Sequence, residues 1–252
     1  MLGKRSTITL YMTKDTLFQN HTMDSFVFDQ RVAAVFPDMV QRSVPGYHAV
    51  MELAGDILGD CLEVNDAVFD LGCSVGTTLF FLTGRLSHLD LSFVGVDNSD
   101  AMIARAREKK EEHPFRNARI AFVRQDILDF DFSRAGAVLL NYTMQFVETG
   151  KRKMFLRRLR RRLRPGGVVI VSEKVCSEDP VLDELFKRRH ESFKRARGYS
   201  DLEISRKRDA LDKVLVPLTV DANATLLAQA GFSRIEIFFK WCNFVSFIAR
   251  VA

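Results

Sequence analysis

Five short apolar runs alternate with stretches of helical spacing over residues 67–173, and this alternation constrains the fold more than any other feature. The runs are AVFDLG (67–72), FVGVDN (93–98), IAFVRQD (120–126), AVLLNY (137–142) and VVIVSE (168–173). The stretches between them include TLFFLTGRL (78–86), SDAMIARAREKKEE (99–112) and KRKMFLRRLRRRLR (151–164). Continuous apolar strands separated by helices are typical of a parallel sheet that helices cover on both faces.

The carboxyl end follows a different pattern. RIEIFFKW (234–241) and FVSFIARVA (244–252) are joined by only two residues, which is too short for a parallel crossover and predicts an antiparallel pair. Before this pair we expect a helical, basic insert at about 179–230. LRPGG (163–167) predicts a helix stop, because proline cannot continue a helix and glycine accepts a left-handed turn. The expected fold class is α/β: a doubly wound, Rossmann-like, mostly parallel seven-stranded sheet.

Length and composition exclude several classes of protein. A chain of 252 residues, 47% apolar and 27% charged, is expected to form a single domain over 28–252, preceded by a loose N-terminal arm at 1–27. No apolar run approaches the roughly 20 residues of a membrane span, and the first residues do not resemble a secretory signal. The four cysteines form no C-x-x-C pair, which indicates a reducing compartment and no zinc site. We therefore expect a cytoplasmic protein without a metal.

Positive charge is concentrated in one part of the chain. Residues 151–213 hold 20 Lys and Arg against 10 Asp and Glu, and residues 151–164 alone hold nine basic residues in fourteen. The apolar residues of 151–164 fall on one helical stripe, which predicts an amphipathic helix with a basic outer face. Such a face is either solvated or in contact with nucleic acid, and the sequence leaves direct tRNA contact undecided.

Polar residues follow the ends of four consecutive predicted strands, where ligands bind in a doubly wound sheet. An acid after the second strand, Asp97, can accept hydrogen bonds from both hydroxyls of a ribose. After the third strand, Asp126 can accept from an exocyclic amine and Ile127 can cover a ring face. Each acid alone is equally well explained as a helix cap, but the series, which Asn141 completes after the fourth strand, predicts a site for adenosine.

The turn after the first strand restricts the class of ligand that the site can bind. Dinucleotide-binding proteins use G-x-G-x-x-G, which lets a pyrophosphate approach the helix N-terminus. This chain has Gly72-Cys73-Ser74-Val75-Gly76, which lacks the close second glycine. The turn therefore favours a nucleoside without a pyrophosphate, which fits S-adenosylmethionine.

These motifs carry a resemblance to a known family. The sequence resembles a class I S-adenosylmethionine-dependent methyltransferase and, more narrowly, is similar to the carboxy-S-adenosyl-L-methionine synthases from about Phe28 to the carboxyl end. The matching blocks are FDQRVAAVFPDMVQRSVPGY (28–47), DLGCSVG (70–76), VDNSDAMIARAR (96–107), LLNYTMQFV (139–147), LRPGG and VSEK (within 163–174), FKRARGYSDLEISRKR (193–208) and WCNF (241–244). The long blocks 28–47 and 193–208 are specific, because generic methyltransferases lack them.

The resemblance implies a reaction and its partners. Such enzymes convert S-adenosylmethionine and prephenate into carboxy-S-adenosylmethionine and phenylpyruvate. A downstream tRNA carboxymethyltransferase then modifies the wobble uridine of tRNA, and the enzyme is a homodimer. The ligand contacts that the motifs imply are Tyr47, Gly72, Cys73, Ser74, Asp97, Asn98, Asp126, Ile127, Asn141 and Arg208. In KRRHESF (187–193) only His190 matches a His pair of the family, so no catalytic role is assigned to it.

Arg208 separates this family from ordinary methyltransferases. A new carboxylate needs a cation, and a guanidinium grips a carboxylate with two hydrogen bonds and stays charged. An ordinary methyltransferase has no use for a guanidinium near the methyl group, because it would repel the sulfonium. Arg208 is therefore the predicted catalytic residue, although outside the matching block Arg206, Lys207 and Arg208 would be read as a solvated helix face.

Two other functions stay open from the sequence. One is a conventional S-adenosylmethionine-dependent methyltransferase that acts on tRNA or a small molecule. The other is a non-catalytic module that stores the nucleoside and docks to a partner through the basic insert.

Overall fold

The computed structural model describes residues 13–20, 24–112 and 118–252 of the chain. Its described part contains an eight-stranded sheet in which seven strands lie side by side in the order β3-β2-β1-β4-β5-β8-β7, while β6 pairs with β5. The strands are β1 (Ala67–Leu71), β2 (Ser92–Asp97), β3 (Ile120–Arg124), β4 (Ala135–Asn141), β5 (Leu163–Cys176), β6 (Leu218–Thr219), β7 (Arg234–Trp241) and β8 (Phe244–Arg250).

The pairing confirms the predicted α/β sheet. Strands β1 to β5 are mutually parallel, whereas β8 pairs antiparallel with both β5 and β7. The β7–β8 hairpin closes with Trp241 paired to Phe244, so Cys242 and Asn243 form its turn as expected. The extra strand β6 was not predicted, because two residues are too short to show a periodic pattern.

Helices cover both faces of the sheet. They are α1 (Leu17–Asn20), α2 (Gln30–Ser43), α3 (Tyr47–Cys61), α4 (Thr77–Arg85), α5 (Asp100–Glu112), α6 (Thr149–Arg162), α7 (Pro180–Ala196), α8 (Asp201–Leu211) and α9 (Val220–Ala230). Alternate residues of β4 point to opposite faces, so Val138 and Leu140 pack with the α6 and α9 side while Ala137 and Leu139 pack with α3, α4 and α5. The sheet is therefore buried on both sides, as its continuous apolar runs predicted.

The helix before the LRPGG motif ends at the position that the motif predicts. Helix α6 ends at Arg162, and Gly166 adopts the expected left-handed conformation with φ of +73°. The residues after the stop do not form a loop, since Leu163 already pairs with Ala135 before the register shifts. The strand β5 therefore begins irregularly and then runs through to Cys176.

Of the expected loose arm at 1–27, residues 1–12 and 21–23 lie outside the described residues, and the described part is packed. Phe18 is only 1% exposed and packs in one cluster with Phe26 and the buried face of α2. The carboxylate of Asp15 is also buried, where it accepts a hydrogen bond from the hydroxyl of Tyr199. The arm was expected to be loose because its own sequence is polar and mixed, but α2, α5 and α8 supply the apolar surface it packs against.

The insert divides into helices with different neighbours. Helix α9 packs against α6 and the sheet, whereas α7 and α8 pack on α2 and on the N-terminal segment. This places α7 and α8 beside the carboxyl ends of the central strands. No helix in the described ranges is long and apolar enough to cross a membrane.

Candidate functional site

A cavity of about 430 Å³ opens at the carboxyl ends of the central parallel strands. All ten residues predicted from the sequence line it, and the structure therefore brings together every one of them. They are Tyr47, Gly72, Cys73, Ser74, Asp97, Asn98, Asp126, Ile127, Asn141 and Arg208. Parallel strands end at one edge of a sheet, which is why positions so far apart in sequence meet here.

The turn after β1 requires glycine at position 72. Gly72 has φ of +85°, and a Cβ at this position would lie 2.4 Å from Oγ1 of Thr143. Its backbone N–H donates to the carbonyl of Val96 at 2.7 Å, which fixes the turn against the end of β2. Any side chain here would collide with the loop after β4, so glycine keeps bare backbone at the cavity surface.

Asp97 joins the ends of the first two strands. Its Oδ2 accepts from the backbone N–H of Ser74 at 2.9 Å and its Oδ1 from the N–H of Ser99 at 2.9 Å. Burial raises the pKa of this carboxyl, while the backbone donors oppose the shift. These bonds orient the carboxylate at the cavity surface, where it can also accept from a ligand.

The loop after β3 is held from outside the cavity. Oδ1 of Asp126 accepts from the N–H of Leu128 at 2.8 Å, so this acid also caps its own turn. Arg158 of α6 donates to the carbonyl of Ile127 at 2.8 Å and to that of Leu128. These bonds fix the buried side chain of Ile127 at the cavity surface, where it can cover a ring.

Several polar atoms at the cavity are buried without a partner among the described residues, and sequence reasoning missed three of them. They are Oδ1 of Asp70, Oγ1 of Thr77, Oδ1 of Asn141 and the hydroxyl of Tyr142. An unpartnered buried polar atom is costly, so a ligand that bonds these atoms would stabilise the fold. Asp70 stands in the DLGCSVG motif, but its burial could not be read from the sequence.

Asp70 and Tyr47 both line the cavity, and both are buried. Burial, together with the charge of Asp97, raises the pKa of Asp70 to about 7. Burial also raises the pKa of Tyr47 to about 12, so its hydroxyl stays protonated and can donate. The rings of Tyr47 and Tyr142 lie 6.3 Å apart, which encloses this part of the cavity with aromatic surface.

The cavity is also lined by a group of cations that we call the basic wall: Lys174 of β5, Lys194 of α7, and Lys207 and Arg208 of α8. The side chain of Arg208 is 49% exposed, and its Nη1 lies 3.1 Å from Oε1 of Glu191. Arg208 therefore lines the cavity of its own chain but is shared with solvent and with a carboxylate of α7.

His190 is buried beside the basic wall. Its Nε2 lies 2.7 Å from the carbonyl of Ser43, and burial and the charge of Lys194 lower the pKa of the ring well below its ordinary value. The ring is therefore neutral and donates to that carbonyl, which ties α7 to the end of α2.

Cys73 lines the cavity and is buried. Burial, with the charges of Asp70 and Asp97, raises the pKa of its thiol well above the ordinary value. Such a thiol is a poor nucleophile. Across the described residues, no three His, Cys, Asp or Glu side chains are placed to hold a metal ion.

The fold and the cavity define a class of protein. A parallel sheet that ends in an antiparallel pair, with an oriented acid after β2 and a glycine turn after β1, is that of the S-adenosylmethionine-dependent methyltransferases. The Methyltransferase domain family model matches residues 68–167. Human N-acetylserotonin methyltransferase in complex with SAM superposes with a TM-score of 0.57 at 16% identity, over 88% of this chain and 59% of that chain. An O-methyltransferase family protein from Burkholderia thailandensis gives 0.59 at 19% identity, over 89% and 60%.

Closer relatives identify the family. The carboxy-S-adenosyl-L-methionine synthase of Desulfotalea psychrophila is 44% identical over 94% of this chain and 96% of its own length. That of Wolinella succinogenes is 41% identical over 94% and 98%. The chain belongs to the carboxy-S-adenosyl-L-methionine synthases. The predicted family, and an enzyme that uses S-adenosylmethionine, are thereby confirmed.

Proposed function

We propose that the protein converts S-adenosylmethionine and prephenate into carboxy-S-adenosylmethionine and phenylpyruvate. In this reaction the ring carboxylate of prephenate leaves as CO₂ together with the ring hydroxide, and the ring becomes aromatic. The hydroxide takes one proton from the sulfonium methyl group and becomes water, while the methyl carbon forms a bond to the CO₂. No oxidant and no metal enter this balance.

One observation carries the proposal: a single cavity is lined both by the buried acid Asp70 and by the basic wall. S-adenosylmethionine supplies a sulfonium that makes its methyl protons acidic. Asp70 is an unpartnered buried carboxylate, and a cationic ligand would stabilise its charged form. The basic wall would instead repel a sulfonium, so it is explained by an anionic second reactant and an anionic product group.

The chain itself contributes orientation and exclusion of water. The adenosine is bound by Asp97, Asp126 and Ile127. The unpartnered Oδ1 of Asn141 accepts from the same ligand. The rings of Phe26 and Phe28 lie 5.1 Å apart and those of Phe28 and Phe146 lie 5.5 Å apart at the cavity rim. An apolar rim limits water, which protects CO₂ from hydration and holds the reactants in contact.

The test is a product analysis with both reactants supplied. The proposal expects phenylpyruvate together with a species heavier than S-adenosylmethionine by the mass of one CO₂, detected by mass spectrometry. S-adenosylhomocysteine with a methylated tRNA or small molecule would instead establish a conventional methyltransferase. Tight binding of S-adenosylmethionine with no turnover would establish a storage module.

The wider role is part of the same proposal. The product would be used by a tRNA carboxymethyltransferase that modifies the wobble uridine, and such a role places the protein in the cytoplasm. A homodimer is proposed on the family resemblance. Direct contact with tRNA is not required, because the downstream enzyme can bind the RNA.

A further inference from the structure

Two lysines of the basic wall have no partner in the part of the chain that the structure describes. Lys194 of α7 is only 7% exposed, and its ammonium donates no hydrogen bond and forms no ion pair there. Lys174 near the end of β5 is partly buried and is likewise unpaired. Both line the cavity.

The other two cations of the basic wall are occupied. Nζ of Lys207 donates to Oγ of Ser43 at 2.8 Å and lies 3.5 Å from Oδ2 of Asp15. Arg208 is paired with Glu191. The two cations of α8 therefore have partners within the fold, whereas the ammonium groups of Lys174 and Lys194 are left to bind another group.

An unpaired buried ammonium is costly to the folded protein. Burial and the charges of Lys207 and Lys174 lower the pKa of Lys194 to about 7. Burial lowers the pKa of Lys174 as well, although Asp183 and Asp212 oppose this without forming an ion pair with it. An anion between these lysines would remove the cost and restore both charges.

Strand order separates Lys174 from the adenosine contacts that follow β2 and β3. Asp97 and Asp126 follow β2 and β3, and β1 and β4 lie between those strands and β5, which carries Lys174. With adjacent strands about 4.8 Å apart, the ends of β2 and β5 are separated by roughly 14 Å. Lys174 therefore lies about three strands away from Asp97, which leaves the β5 side of the cavity for a second reactant.

We propose that Lys194 and Lys174 form the subsite for the carboxylates of the co-substrate, a small dicarboxylate. This inference rests on the proposed function. Lys194 binds one carboxylate in a pocket from which water is largely excluded, and Lys174 binds the other nearer to solvent. Two ammonium groups at fixed positions select a dianion over a monoanion of the same shape.

The test uses Lys194→Met, which keeps the length of the side chain and removes its charge. The control is Arg188→Met on the same helix, because Arg188 is 61% exposed, lies 3.8 Å from Glu184 and does not line the cavity. With S-adenosylmethionine saturating, we expect the KM for prephenate to rise about thirtyfold or more in Lys194→Met. The affinity for S-adenosylmethionine should stay within about threefold, and Arg188→Met should match the wild type.

Thermal unfolding separates the outcomes. Without ligand, Lys194→Met should melt at or above the wild-type temperature, because the cost of the buried charge is gone. Prephenate should raise the melting temperature of the wild type and of Arg188→Met but not of Lys194→Met, whether or not turnover occurs.

Each contrary result has its own meaning. Turnover of prephenate by the wild type with an unchanged KM in Lys194→Met overturns the subsite and leaves the proposed function standing. Loss of affinity for S-adenosylmethionine would assign Lys194 to the methionine carboxylate instead and also overturns it. If the wild type neither turns over prephenate nor is stabilised by it, the proposed function and the subsite fail together. Stabilisation that requires Lys194 but brings no turnover would retain the subsite and reject the reaction.

Discussion

At the scale of single residues, Asp97 has both a structural and a binding role. It orients the turn after β1 through the N–H of Ser74, and it faces the cavity. We expect Asp97→Ala to weaken the binding of S-adenosylmethionine and S-adenosylhomocysteine equally, by about a hundredfold, because two hydrogen bonds to a charged acceptor are lost. Isothermal titration calorimetry measures both affinities.

The control for this change is Asp100→Ala. Asp100 lies three residues further on, is exposed and pairs with Arg124 rather than facing the cavity. Its removal should leave both affinities unchanged. An Asp97→Ala protein that binds either ligand like the wild type would show that the acid after β2 does not contact the ribose.

Arg208 is expected to discriminate between the reactant and the product. Arg208→Gln should weaken the binding of carboxy-S-adenosylmethionine by about tenfold to a hundredfold, because a charge-assisted bond to its carboxylate is lost. The affinity for S-adenosylmethionine should change less than about threefold, since the methyl group offers nothing to a guanidinium. Competition binding with the two ligands provides the measurement.

Arg188→Gln provides the comparison for Arg208. Arg188 is exposed on α7, where Nη1 lies 3.8 Å from Oε1 of Glu184, and it does not line the cavity. Equal losses for both ligands in Arg208→Gln would remove Arg208 from its proposed position beside the carboxylate.

The strand-end residues could be predicted because spacing along the sequence fixes them. A residue that follows a buried parallel strand lies at the ligand edge of the sheet, so Asp97, Asp126 and Asn141 needed only correct strand assignments. Burial without a partner is a different matter. Asp70 and Lys194 became informative only when elements distant in sequence were seen to enclose them.

At the scale of elements, the basic residues of α6 are less available to partners than the composition of the helix suggested. Arg152, Arg157, Arg158 and Arg160 all donate to backbone carbonyls of described residues. Arg162 pairs with Asp131. Much of the basic face is therefore used within the chain, which a count of charges could not show.

Arg158 gives this element a measurable effect on the site. We expect Arg158→Ala to weaken S-adenosylmethionine binding by about threefold to tenfold, because the loop that carries Ile127 loses its two donors. Titration of the ligand into the two proteins measures the change.

Arg161→Ala is the matched variant on the same helix. Arg161 is exposed and does not line the cavity. If both variants lose affinity to the same extent, the effect belongs to the charge of α6 and not to the loop.

The helices of the insert could be predicted from the sequence, but their positions relative to the sheet could not. Arg208 was found through the block that contains it. The convergence of α7, α8 and β5 on one cavity could not be read, because it depends on packing such as the bond from Arg42 to the carbonyl of Arg197 at 2.8 Å.

At the scale of the whole molecule, the buried acids make stability depend on pH. The pKa of Asp70 is raised to about 7 from its ordinary value of 3.8, and that of Glu173 to about 8 from 4.5, mainly by burial. The folded protein therefore keeps protons that the unfolded chain has lost. This stabilisation is complete below about pH 4 and is lost as the pH rises through about 7.

We accordingly expect these two acids to lower the melting temperature of the ligand-free protein as the pH rises from 5 to 7, against the opposite contribution of His190, whose pKa is lowered by burial. Asp70→Asn should reduce this slope, because the amide has no proton to lose in that range. Differential scanning calorimetry at several pH values measures it.

Asp100→Asn should keep the wild-type slope, since that carboxylate is exposed. An identical slope in Asp70→Asn and the wild type would mean that Asp70 is already ionised in the folded protein at pH 5. S-adenosylmethionine should flatten the wild-type slope too, because its positive charge favours the ionised carboxylate.

Strand β4 lies between β1, which carries Asp70, and β5, which carries Lys174, so the cavity has a buried acid and a cation at different positions along the sheet. A molecule with a positive group at one end and a negative group at the other has one favourable way in. The reversed arrangement sets like charges against each other, and the low dielectric of the interior magnifies that penalty. The charges thus select the orientation of such a ligand independently of how well its shape fits the cavity.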